Sequence, residues 1–91
     1  MNAATIIAYE AGELDEQAAI EAFQGMIDDG SVWLLQGSYG RQAMAYIDAG
    51  LCALGPRAHH DYYGNRVPGR EDVEPGSKGT LEYCRTMQER I

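Results

Sequence analysis

The chain has 91 residues, a net charge of −7 and 45% hydrophobic residues. That length holds one domain and leaves no room for a second core. The apolar content is too high for a disordered chain, and no apolar run approaches the ~18 residues of a membrane span. The first fourteen residues have no basic start and already contain Glu10 and Glu13, so they do not read as a signal peptide. Two cysteines, Cys52 and Cys84, are too few for a disulfide scaffold. A cytoplasmic protein is the expectation.

Charge is unevenly distributed. Residues 1–50 carry eight acids (Glu10, Glu13, Asp15, Glu16, Glu21, Asp28, Asp29, Asp48) and one base, Arg41. Residues 51–91 carry six of each. A duplex-binding surface needs a basic footprint, so direct nucleic-acid binding is not expected. The long-range field instead suits a basic protein surface. Plain solubility explains the same charge equally simply.

Taken in chain order, residues 3–10 suit a short helix ending before Gly12, with Ile6, Ile7 and Tyr9 as its apolar groups. Asp15 is a good N-cap for a second helix over about 16–29. In it Ala19, Ile20, Phe23, Met26 and Ile27 recur at i, i+3, i+4 spacing, with Gln17, Glu21, Gln24 and Asp28 opposite. Gly30 is a natural stop. Gly25, inside the helix, suggests a closely packed neighbour. Residues 31–37 (SVWLLQG) hold four consecutive apolar groups between glycines. They read either as a short buried strand or as one helical turn capped by Ser31, and in both cases all four, Val32, Trp33, Leu34 and Leu35, belong in the core.

A third helix is expected over 38–49, with Ser38 as N-cap, Met44, Ile47 and Leu51 on one face, and Gly50 as stop. The pattern then ceases. All three prolines and five of the eleven glycines fall between Gly55 and Gly79, which reads as a long irregular loop. Thr80 can cap a last helix over 80–91 with Leu81, Cys84, Met87 and Ile91 as its stripe. The expected fold is therefore mainly α. It is a single domain with a helical core over 1–54, a loop over 55–79 and a C-terminal helix.

The stretch "IIAYEAGELDEQAAIEAFQGMIDDG" followed by "LLQGSYGRQAMAYIDAGLC" resembles a family of short proteins encoded by tailed bacteriophages, of unassigned function. The resemblance covers about residues 6–52, and Leu35-Gln36-Gly37-Ser38-Tyr39-Gly40-Arg41 is its most specific piece. It implies a phage origin. Phage accessory proteins of this size commonly bind and block a host machine, CRISPR and other defence complexes included.

The chemistry-bearing residues point away from catalysis. His59-His60-Asp61 with Cys52 and Cys84 lacks the paired ligand spacing of zinc sites. The glycines form neither a phosphate loop nor a dinucleotide fingerprint, and no carboxylate pair is evident. No enzyme, metal or cofactor is expected. A helix-turn-helix reader is disfavoured by an eight-residue connection between the second and third helices, but a DNA-associated regulator with a three-helix core stays as the alternative.

Six residues are the candidates for partner contact. Asp28, Asp29 and Asp48 fall at helix C-terminal ends, against the dipole. Arg41, near the start of the third helix, also opposes the dipole, and either pairs with a carboxylate of the second helix or is an exposed contact. Tyr62 and Tyr63 offer rigid aromatic area in the loop, of the kind enriched in binding hot spots, or fold back onto the core. The expected partner is a host or defence protein with a basic surface, and a homodimer is the other arrangement considered. Reversing Asp28 and Asp29 to lysine is expected to leave stability equal or slightly raised.

Overall fold

The computed structural model describes residues 3–90. The fold is mainly α. Its elements are α1 (Ala3–Glu10), α2 (Glu16–Asp29), a 3-10 turn (Ser31–Leu34), α3 (Gly37–Asp48), a hairpin of β1 (His59–His60) and β2 (Arg66–Val67), and α4 (Leu81–Glu89). Ile91, assigned above to the last apolar stripe, lies outside the described residues.

Two expected caps are made. Asp15 Oδ1 accepts the Ala18 amide at 2.7 Å at the start of α2, and Thr80 Oγ1 accepts the Tyr83 amide at 3.1 Å at the start of α4. Each such cap stabilises its helix by about 1 kcal/mol. The third differs. Gln36, not Ser38, occupies the N-cap position of α3 and makes no side-chain cap. The Tyr39 amide already bonds to the Gln36 carbonyl at 2.9 Å, so Ser38 is inside the first turn. At Gly30 the chain takes φ +85°, and the His59 ring stands where a Cβ would be. Only glycine meets both demands, which lets α2 turn directly into the 3-10 segment. That segment is the helical alternative for residues 31–34, with Gly30 rather than Ser31 at its N-cap; Val32 and Trp33 within it are buried, but Leu34 is exposed.

Phe23 of α2, fully buried, is the centre of the core. Tyr9 from α1 and Tyr46 from α3 meet it edge-on at ring-centroid distances of 5.2 and 5.3 Å. Tyr39 stacks on it at 6.0 Å. Aromatic pairs of this geometry contribute ~0.5–1.5 kcal/mol each beyond their area, so one ring ties three helices together. The Tyr39 hydroxyl donates to Glu10, which fastens α3 to the end of α1.

Helical periodicity puts four side chains on the wrong side. Leu81, assigned above to the stripe of α4, is exposed. Ile7 is exposed while its neighbours Ile6 and Tyr9 pack on the core. The buried stripe of α3 is Tyr39, Ala43 and Ile47, which leaves Met44 on the outer flank. Gln24, assigned above to the solvent face, braces the chain after α3. Its Oε1 accepts the Ala53 amide at 2.8 Å and its Nε2 donates to the Ala53 carbonyl at 3.1 Å. Gly25 is exposed, and a Cβ there would meet nothing within 4 Å, so no close neighbour explains it.

Residues 55–79 contain more order than their composition suggests. The hairpin is antiparallel, with His59 opposite Val67 and His60 opposite Arg66. Arg70 anchors the segment after the hairpin. Its amide donates to the Gly55 carbonyl at 2.8 Å, its Nε to the buried Leu54 carbonyl at 2.8 Å, and its Nη2 to Asp28 Oδ1 at 3.1 Å. Gly69 lies flat against the backbone of Arg57 and Ala58, where a Cβ would come within 2.9 Å. No helix among the described residues is long and apolar enough to cross a membrane.

Candidate functional site: an aromatic groove beside α3

The hairpin leans over the 3-10 turn and α3 because its tip is tied there. The Tyr62 amide donates to the Trp33 carbonyl at 3.0 Å. Asp61 fixes the shape of the tip. Its Oδ1 accepts the amides of Tyr63 and Asn65, both at 2.9 Å, and its Oδ2 accepts Asn65 Nδ2 at 3.3 Å. Donation by the Asn65 amide, with further bonds from the Asn65 side chain and the Tyr63 amide, holds the Asp61 carboxyl below the usual range. Arg66 and the Gly69 amide brace the far strand by converging on Asp72 at 3.0 and 2.9 Å.

An open groove of about 930 Å³ lies between these parts. One side is α3 and the residues before it: Trp33, Leu34, Leu35, Gly40, Met44 and Ala45. The other is the hairpin, with Tyr62, Tyr63, Val67 and Pro68. Large apolar side chains stand exposed here: Leu34 at 59%, Met44 at 43%, Tyr62 at 74% and Tyr63 at 85%. The two tyrosine rings meet edge-on at 5.5 Å. Contiguous exposed apolar surface of this kind marks interaction sites.

Four charged residues line the groove, Arg41, Asp48, Asp61 and Arg66, so its own charge is balanced. Asp61 and Arg66 are occupied within the hairpin. Among the described residues, the side chains of Arg41 and Asp48 have no hydrogen bond or ion pair.

Four of the six expected contact residues therefore meet in one place: Arg41, Asp48, Tyr62 and Tyr63. Arg41 is exposed and does not pair with an α2 carboxylate, and the two tyrosines do not fold back onto the core. Asp28 and Asp29 are elsewhere. The Asp28 carboxylate is held by Gln24 Nε2 at 2.9 Å and by Arg70 at 3.1 Å, and Asp29 Oδ1 accepts the Ser31 amide at 2.8 Å. Reversing Asp28 and Asp29 together should therefore cost stability rather than leave it equal or raised, because a lysine at position 28 would face the Arg70 guanidinium. Sequence reasoning misses Leu34 and Met44 as site residues, because apolar residues in amphipathic stretches read as core.

The remaining reactive groups are not gathered here. His59 sits against Gly30, with Nε2 at 3.3 Å from the Asp28 carbonyl, while His60, next in the strand, is exposed. Cys52 and Cys84 are both buried thiols, and burial pushes Cys52 up to about 12. Among the described residues no group of three or more His, Cys, Asp or Glu could hold a metal ion.

Fold and site together define a small, mainly helical domain that carries an exposed aromatic groove. The chain belongs to a family described as a domain of unknown function, DUF7417, whose match spans residues 2–60. The matched region takes in α1 to α3 and ends with β1, so it includes the α3 side of the groove and stops short of Tyr62 and Tyr63. No curated protein matches the chain, and no solved structure does.

Proposed function

We propose that this chain is a non-catalytic protein-interaction domain whose docking surface is the groove beside α3. The carrying observation is that Leu34, Met44, Tyr62 and Tyr63, all exposed, surround one concavity. Tyrosines supply binding area at little entropic cost. A buried Cys52 thiol raised to about 12 offers no ready nucleophile, and the reading includes no metal or cofactor.

The finer form of the proposal is a phage accessory protein that acts in the host cytoplasm, where it binds and inhibits a host or anti-phage defence protein in the manner of an anti-CRISPR. The resemblance of residues 6–52 to short tailed-phage proteins supports the origin. The net charge of −7 supports a basic target. The charges lining the groove cancel, so the acid excess lies outside it and faces whatever the groove does not hold.

The test is affinity capture from host lysate with the wild-type chain and with Tyr62→Ala/Tyr63→Ala. Both tyrosines are exposed, so circular dichroism should be unchanged while the captured protein is lost. Binding to the target should also weaken as salt rises. Retention of the same protein by the double variant would rule out the groove as the place where that protein docks. A salt-dependent shift of duplex DNA by the pure protein would replace the reading with a DNA-associated regulator.

A further inference from the structure

We propose that the groove is filled by a second copy of this chain, docked with its α3 antiparallel to the first. This rests on reading the groove as a protein-docking surface, and it leaves the acidic exterior of both copies to face a target. The groove-lining residues of α3 are Gly37, Gly40, Arg41, Met44, Ala45 and Asp48. Their spacing puts them on one face of the helix. Arg41 and Asp48 lie equally far from the point between Met44 and Ala45, one on each side, about 10 Å apart along the axis at 1.5 Å per residue.

That pattern is self-complementary. In a two-fold contact, if residue i meets residue j of the other copy, then j meets i. A two-fold axis at the Met44–Ala45 midpoint sets Arg41 against Asp48 of the second copy, and Asp48 against its Arg41. Met44 then meets Ala45 at the centre. A parallel arrangement would instead oppose like charges.

Two further observations favour this occupant. Arg41 is the single base among the first fifty residues, yet it has no carboxylate partner within the described chain although eight acids share that half. Asp48, the last residue of α3, also stands against its own helix dipole. An antiparallel neighbour reverses this, because Asp48 then lies beside the N-terminal half of the other α3. Leu34 and the tyrosine pair extend the apolar surface around this centre.

The experiment is sedimentation equilibrium of the full chain across the micromolar range, with circular dichroism on every variant. The wild type should be a dimer. Arg41→Asp and Asp48→Arg should each weaken it about 10- to 30-fold, since each single reversal turns two symmetric ion pairs into like-charge contacts. The combined swap Arg41→Asp/Asp48→Arg should restore dimerisation. An equimolar mixture of the two single variants should associate more tightly than either alone. A monomeric wild type would overturn the proposal, as would a dimer indifferent to both reversals or a swap as weak as the single variants. These outcomes are separable from failure of the docking reading. If the chain is monomeric but Tyr62→Ala/Tyr63→Ala still loses its captured protein, the second copy is wrong and the groove remains a docking surface.

Discussion

Arg70→Met should destabilise the fold far more than its place in a glycine- and proline-rich loop suggests. Methionine keeps an apolar stem of similar reach and removes the guanidinium. Two bonds disappear. The first runs from Nε to the Leu54 carbonyl at 2.8 Å. Leu54 is 5% exposed, so its carbonyl is left without a partner and out of reach of water, a loss of about 1.5–3 kcal/mol for a bond to a charged donor. The second is the ion pair with Asp28 at 3.1 Å, whose carboxylate side chain is 42% exposed. Solvent screens it, and it adds at most about 1 kcal/mol. The sum is roughly 1.5–4 kcal/mol, taken from a total of ~5–14 for a chain of this length. The melting temperature should fall by roughly 6–30 °C at ~4–8 °C per kcal/mol. Thermal unfolding followed by circular dichroism measures this directly. Asp28→Asn, which removes only the screened pair, is the control and should lower stability by no more than about 1 kcal/mol. If Arg70→Met proves no more damaging than Asp28→Asn, the bond to Leu54 is not the anchor of the loop.

Gly25→Ala should raise stability by about 0.5–1 kcal/mol, because the helical glycine faces open space and an added methyl meets nothing; denaturant unfolding checks it, and a loss would show an unseen steric demand. Stability should also fall as pH rises above about 9. The hydrogen bond to Glu10, then burial, raises the Tyr39 phenol to about 12, and burial raises Cys52 to about 12. Both groups keep their protons in the native state while the unfolded chain loses them at ~8.5–10. Their stabilisation is therefore complete below the unfolded values and is lost as pH climbs through the native ones. A melting temperature that stays level from neutral pH to pH ~11 would contradict this assignment.

The helices are legible in the sequence where the signal is local. Asp15 and Thr80 announce helix starts with a side-chain oxygen that needs only the next turn as partner, and Gly30 and Gly50 announce ends by their positive φ. Helical spacing recovers the fold class, and the apolar run between glycines recovers the burial of Trp33. It cannot decide between neighbours on a stripe edge, which is why it assigns Met44 to the core that Ala43 and Ile47 occupy. The order in 55–79 is illegible for a different reason. It depends on polar bonds between distant residues, such as Arg70 to Asp28 across 42 positions, and these leave no periodic trace. The candidate site is legible in part. Arg41, Asp48, Tyr62 and Tyr63 stand out singly by charge or residue type, but only the Tyr62 bond to Trp33 brings them to one groove. Asp28 looks like a solvent-facing acid because its partner Arg70 lies 42 residues on.

The molecule measures 35 × 35 × 17 Å. A plate 17 Å thick is only about one and a half helix diameters of 10–12 Å. Few side chains in a plate can be surrounded on all sides, so unfolding exposes less apolar surface per residue than it would from a sphere of the same length. The heat-capacity increment of unfolding should then sit at or below the low end of ~12–15 cal/mol/K per residue. A small increment flattens the curve of stability against temperature. The balance between folded and unfolded chain should consequently drift little on cooling, and the fold should hold through temperature changes that would noticeably loosen a rounder domain of equal length.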